Sequence, residues 1–242
     1  MTENKKKFFL YVIFIFYLSF SFWFLQFHEM WRDELQAWLI SRDSYSIVDL
    51  FKNLKYEGHP GLWHLLLYLL NKISTNPEIM QITHVLIASL SVFILIRWAP
   101  FTFLQKILLI FSYFLFFEYN LVARNYALGV LLIFIFCIYF PIRHKKPIAT
   151  SLILFLLSHT SIFGIIFVIS FTFVILFEDL IIKNYKDSKK NFSIKYIIAF
   201  TIIVLGILTS LLQVIPPSDS GFAKGWKFYI DLESFKIIGN VF

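Results

Sequence analysis

The segment WRDELQAWLISRD (31–43) sets two adjacent carboxylates, Asp33 and Glu34, among tryptophans, shortly after the apolar run FFLYVIFIFYLSFSFWFLQF (8–27). Arg32, Asp33, Glu34, Arg42 and Asp43 are too costly to hold in hydrocarbon, so the chain must meet water here. A carboxylate at such a boundary is suited to taking the proton of a hydroxyl group. The competing reading is an anchoring helix whose acids are merely solvated. Helical spacing places Trp31, Leu35, Trp38 and Leu39 on one face and Asp33 and Gln36 on the other, which predicts an amphipathic helix lying in the interface.

Three other groups have polar side chains that could join the chemistry. In EGHPG (57–61) the proline pushes His59 out of helical geometry, and the turn aims Glu57 and His59 at a fixed point, with His64 one helical turn on. An ordinary surface histidine is the alternative, and the spacing fits no structural zinc motif. EYNLVARNY (118–126) places Glu118, Arg124 and Tyr126 in a short turn between apolar runs. Arg124 there either pairs with Glu118 or offers its planar fork to a phosphate. SHTS (158–161) puts His159 at the end of another apolar run, where a helix-end polar role competes with a site role. Pro216–Trp226, with Asp219 and Lys224, reads as a loop.

The elements that must position these groups are set by composition. The chain of 242 residues is 59% hydrophobic and 15% charged, with 31 Phe, 12 Tyr and 6 Trp. Soluble domains run closer to 45–50% apolar and about 25% charged, so an all-α polytopic membrane bundle is expected. The single Cys137 excludes an internal disulfide. No small-residue cleavage site follows the first apolar run, which reads as a retained first span. Seven spans are expected, near 8–27, 79–96, 104–119, 125–142, 147–160, 162–182 and 194–215, in one membrane domain over 1–242. The loop 28–78 carries interfacial helices, including the run LWHLLLYLL (62–70), too short to cross.

Lysine and arginine bias fixes the orientation. With the N-terminus in the cytoplasm, the inner segments 1–7, 97–106, 143–147 and 178–195 hold 13 of the 22 basic residues and four acids. The net charge of +7 therefore reports sidedness rather than nucleic-acid binding. HEMWRDELQAW, EGHPGLWH, EYNLVARNYAL and SHTS then share the outer side. No internal repeat supports an inverted-repeat transporter.

The order of an outer Asp-Glu pair (WRDELQAW), a His/Pro turn into a juxtamembrane helix (EGHPGLWHLLLY) and an Arg-aromatic turn (ARNYAL) resembles the GT-C superfamily of integral-membrane glycosyltransferases. The closest likeness is to its protein mannosyltransferase-like and aminoarabinose-transferase-like branch. The resemblance implies transfer of a sugar from a polyprenyl-phosphate carrier to a glycan, lipid or protein acceptor at the outer membrane–water interface, with membrane lipids as further partners. It implies Asp33 as catalytic base with Glu34 its paired neighbour, Arg124 as the donor-phosphate contact, and His59 and His159 as site-lining groups. It also implies a seven-span shared module, at whose end this chain stops.

The chemistry makes sense without the family. A sugar phosphate carries its own leaving group, so one carboxylate suffices and single displacement inverts the anomeric centre. The departing phosphate needs a cation, with the choice between Arg124 and a divalent metal left open. Tyr126, Trp31, Trp38 and Trp63 would line the sugar or prenyl groove. A flippase of lipid-linked sugars and a non-catalytic or truncated module are the alternatives. Residue usage points to a bacterial cytoplasmic membrane, with the active site outside.

Overall fold

The computed structural model describes residues 2–178 and 194–217. Most of the predicted inner segment 178–195, the end of the predicted span 162–182, and the loop Pro216–Trp226 from residue 218 onward lie outside the described residues. The fold is all-α, with no strand among the described residues.

Among the described residues eleven α-helices follow in order. They are α1 (Glu3–Leu25), α2 (Arg32–Asp43), α3 (Ile47–Asn53), α4 (Leu62–Leu70), α5 (Glu78–Trp98), α6 (Phe103–Ile110), the one-turn α7 (Tyr119–Leu121), α8 (Asn125–Tyr139), α9 (Pro147–Ser158), α10 (Ile162–Phe177) and α11 (Ile194–Val214). Among the described residues four stretches are long and apolar enough to cross a membrane: Asn4–Leu25, Glu78–Trp98, Asn125–Ile142 and Ile194–Val214. Outward-facing Phe8, Ile15, Phe16, Phe173 and Leu212 are each more than half exposed. So much apolar surface is sustainable against lipid and a liability in water.

Side-chain contacts thread the chain back and forth between two ends of one bundle. Phe9 of α1 packs on Phe103, Tyr17 donates to Leu115 O at 2.7 Å, and Asn120 donates to Ser21 Oγ at 2.7 Å. The segment 103–121 therefore climbs beside α1 toward the end that carries α2. From there α5 descends, since Gln81 bonds His28 O near its start and Lys106 bonds Ile96 O near its finish. The start of α8 is tied to the end of α9 by Asn125 Nδ2 donating to Thr160 O at 2.7 Å. The far end of α10 meets the 140s loop through the Arg143–Glu178 ion pair. α11 begins near that loop, where Tyr196 bonds His144 O, and finishes at the α2 end, where Gln213 accepts from Gly61 N.

One expectation needs correction. The stretch 104–119 is not one straight helix: α6 stops at Ile110, and a wide π turn over Phe114–Glu118 precedes α7. Eight residues of α6 rise only about 12 Å against a hydrocarbon core of about 30 Å. Among the described residues α9 has 12 residues and α10 has 16, and residues 179–182 of the expected span 162–182 are not described. α2 turns a particular stripe to the rest of the protein. Its buried stripe is Glu34, Ala37, Trp38 and Ser41, whereas Trp31 and Leu39 are 45% and 40% exposed. The small Ala37 and Ser41 let α2 approach α4 closely, with Ser41 Oγ donating to His64 O at 3.1 Å. Trp38 is common to this stripe and to the apolar face read from spacing, and the exposed Trp31 and Leu39 of that face are left to the surroundings.

Candidate active site

The two carboxylates of the Asp-Glu pair have opposite fates because consecutive helical residues point about 100° apart. Glu34 is fully buried. Its carboxylate accepts from Trp31 N at 2.7 Å, from Ala123 N at 2.6 Å, and lies 3.0 Å from His28 Nε2. The first of these bonds caps the N-terminus of α2. The second fastens that terminus to the turn before Arg124. Burial by itself would push the Glu34 carboxyl up, but the bonds from His28, Trp31 and Ala123 outweigh it and hold the carboxyl below its ordinary value.

Asp33 instead faces outward, its side chain 65% exposed. Arg124 Nη2 donates to its Oδ2 at 2.6 Å across 91 residues of sequence. The guanidinium also lies 5.4 Å from the Trp31 ring centroid, so the arginine is held by a charge and an aromatic face together. Arg124 is the N-cap of α8 in an extended conformation, which swings its side chain toward α2. Its Nε is buried and has no hydrogen-bond partner among the described residues.

The EGHPG turn arrives at the same place. Gln36, one turn after Asp33, donates to Glu57 Oε1 at 2.9 Å. Gly58 has φ of +68°, a left-handed conformation that glycine adopts without the steric cost of a side chain. Gly61 sits against Phe51 and Leu54, where a Cβ would come within 2.8 Å of each, and its N–H donates to Gln213. The chain between these two glycines carries His59. Burial lowers the His59 pKa, Glu57 pulls the other way, and the nearby Arg124 charge lowers it further, so the ring is neutral at neutral pH. Its Nδ1 is buried without a partner among the described residues.

His64, on the buried face of α4, is pushed down to about 4 by burial, with His59 adding to the shift, and neither ring nitrogen has a partner among the described residues. A histidine buried neutral stabilises the fold above its unfolded pKa, and that contribution is lost as pH falls through the folded value. His64→Leu is therefore expected to stabilise the protein at acid pH and to flatten the decline in thermal midpoint between about pH 6.5 and pH 4. Thermal unfolding in detergent across that range measures both.

The remaining expected residues gather elsewhere. Glu118 does not pair with Arg124; it accepts from Tyr113 Oη at 3.1 Å, because the π turn carries it to the far side of the α7 turn. Tyr126 packs near Tyr119 and Phe163. Glu118 and Tyr126 together line the mouth of a mostly apolar cleft of about 340 Å³ that runs down between α8 and α10 past Ile133 and Phe167. His159 bridges α9 to α11, its Nδ1 2.8 Å from Phe155 O and its Nε2 3.0 Å from Thr209 Oγ1. Its carbonyl accepts from Leu62 N, so it supports the start of α4, and its ring is not brought to the Asp33–Arg124 pair.

Sequence reasoning missed His28, the backbone amide of Ala123 and the Gln36–Glu57 bond. His28 lies in a turn without periodicity, and a backbone donor leaves no trace in residue identity. Gln36 was legible as a neighbour of Asp33 on the polar face, but its partner Glu57 was not. Among the described residues, no three His, Cys, Asp or Glu side chains converge as a metal-holding group. Compared with protein families, curated proteins and solved structures, the chain matches none.

Proposed function

We propose that the chain is a membrane glycosyltransferase that moves a sugar from a polyprenyl-phosphate carrier to an acceptor hydroxyl at the water-facing end of its bundle. The observation that carries this reading is the Asp33–Arg124 contact of 2.6 Å. It sets one general base and one phosphate-binding fork within reach of a single bound molecule. In this reading the long helices, the shorter α9 and α10, and the broken 103–121 segment make seven crossings. Arg97, Lys106, Arg143, Lys145 and Lys146 then gather on the cytoplasmic side and the pair faces outward.

The pair also suggests an order of events. A carboxylate whose Oδ2 is occupied by the Arg124 fork at 2.6 Å is not open to an acceptor hydroxyl at that oxygen. The donor phosphate, an anion, competes for the same fork and for the unused Nε of Arg124. Asp33, freed toward water, takes the acceptor proton as the acceptor oxygen attacks the anomeric carbon. The bond from that carbon to the phosphate oxygen breaks, its electrons stay on the phosphate, and Arg124 holds the resulting charge. Glu34 does not touch the reactants; it positions Asp33 and Arg124 by joining α2 to the turn before α8. The cleft beginning at Glu118 and Tyr126, two residues after Arg124, suits the apolar prenyl chain.

Arg124→Ala should raise the donor KM by ten-fold to a hundred-fold, roughly the value of one charge-assisted bond to phosphate. Kinetics with the donor varied at fixed acceptor check this. An unchanged donor KM would remove Arg124 from phosphate binding.

A further inference from the structure

Glu118 is left over from the Asp33–Arg124 pair. It ends the π turn over Phe114–Glu118, a local widening of the helix of a kind that recurs at functional sites. Tyr113 Oη donates to its Oε2 at 3.1 Å, and its Oε1 has no donor among the described residues. Among the described residues Glu118 makes no ion pair. A carboxylate at membrane depth is costly unless it faces a partner or a cavity.

Here it faces a cavity. Glu118 stands at the mouth of the cleft of about 340 Å³ between α8 and α10, and among the described residues no other charged group lines that cleft. Phe114, Tyr119, Tyr126 and Phe163 follow one another along the same lining, with successive ring centroids 5.5, 6.2 and 6.4 Å apart. Aromatic faces carry negative potential, so a belt of rings beside a carboxylate favours a cation. Deeper in, the lining is apolar, with Ile133 and Phe167. Phe114 and Phe163 are more than half exposed, so the cleft opens sideways to the surroundings of the bundle, where lipid lies in a membrane. An occupant that satisfies both parts has a positive head and a hydrocarbon tail.

We propose that this cleft holds a zwitterionic phospholipid with a primary ammonium head, of the phosphatidylethanolamine type. The ammonium is the terminal group of that head, so it reaches Glu118 while the phosphate stays in the headgroup layer. One acyl chain runs past Ile133 and Phe167. This binding does not depend on sugar transfer, and a prenyl tail entering the same cleft must first displace the lipid.

The test reconstitutes the full chain into mixed phosphatidylethanolamine–phosphatidylglycerol vesicles, extracts it gently, and quantifies the two lipids retained per protein. Wild type should retain phosphatidylethanolamine in excess of its share of the vesicle. Glu118→Gln, which keeps the shape and removes the charge, should cut that excess by about five-fold or more. Tyr126→Leu should lower it by about two-fold to five-fold, the worth of one cation–π contact. Tyr126→Phe, which keeps the ring, should preserve it. So should Glu29→Gln, which removes an exposed acid elsewhere at the same end. Circular dichroism should show wild-type helicity for each variant. No excess in wild type, or an equal loss from Glu29→Gln, would overturn the proposal. Displacement of the retained lipid by millimolar phosphoethanolamine would also overturn it, making the mouth a site for a soluble amine.

Discussion

Asp33→Asn should lower the turnover of sugar transfer by 10²- to 10⁴-fold, the usual worth of a general base, while the protein accumulates and inserts as wild type does. The substitution keeps the size and shape of the side chain, and Asp33 is mostly exposed, so folding loses little. The less obvious half concerns the donor. Asp33 competes with any bound phosphate for Arg124, at 2.6 Å from its Nη2. Removing its charge frees the guanidinium, so donor affinity should hold or tighten as turnover collapses. A residue that merely supported the fold would lower both together. Steady-state kinetics with varied donor, beside direct binding of the sugar-free polyprenyl phosphate, separates these outcomes. Retained turnover would remove Asp33 as the base, and weaker binding would contradict the competition.

The largest effect on stability is expected at the neighbouring position. Glu34→Ala leaves Trp31 N–H and Ala123 N–H without their acceptor in a buried place, and strips His28 of its partner. One buried and one part-buried donor left unsatisfied, together with the lost hydrogen bond to His28, add up to roughly 3 kcal/mol or more. Activity should fall with it, because α2 loses its tie to the turn that carries Arg124. Glu34→Gln should cost less, since the amide oxygen still accepts one bond. The pH dependence has a definite sign. Glu34 titrates below its ordinary value in the folded protein, so its contribution is complete above the unfolded pKa and fades as pH falls through the lower folded one. Wild type should therefore lose stability on acidification in a range where Glu34→Gln shows a shallower slope from this group. Chemical or thermal unfolding in detergent at several pH values reads both the loss and the slope.

How far the residues alone revealed this arrangement differs from place to place. Composition and run length specified an all-α chain with helices long and apolar enough to cross a membrane, and the limits of Leu62–Leu70 and Ile194–Val214 follow hydrophobic runs closely. The outward aim of Asp33 and Gln36 was legible from helical spacing because polar faces seek water. The burial of Glu34 was not, since a carboxylate enters the interior only when backbone donors await it, and the amide of Ala123 lies 89 residues away. The approach of Asp33 to Arg124 was expected from their placement at the same end of the helices, but their direct ion pair was not. Glu118, six residues before the arginine, was the nearer choice by sequence, but the π turn diverts Glu118 to Tyr113. The break between Ile110 and Phe114 was masked by FSYF (111–114), four residues that hydropathy reads as continuous span.

The central claim is that Asp33 and Arg124 act on one lipid-phosphate sugar. It is tested most directly by mass spectrometry of lipid-linked sugars and cell-envelope glycans in cells that carry either wild type or Asp33→Asn at equal membrane level. The account predicts that one polyprenyl-phosphate sugar accumulates in the variant while a glycan bearing that same sugar disappears. Identical profiles in the two strains would contradict it.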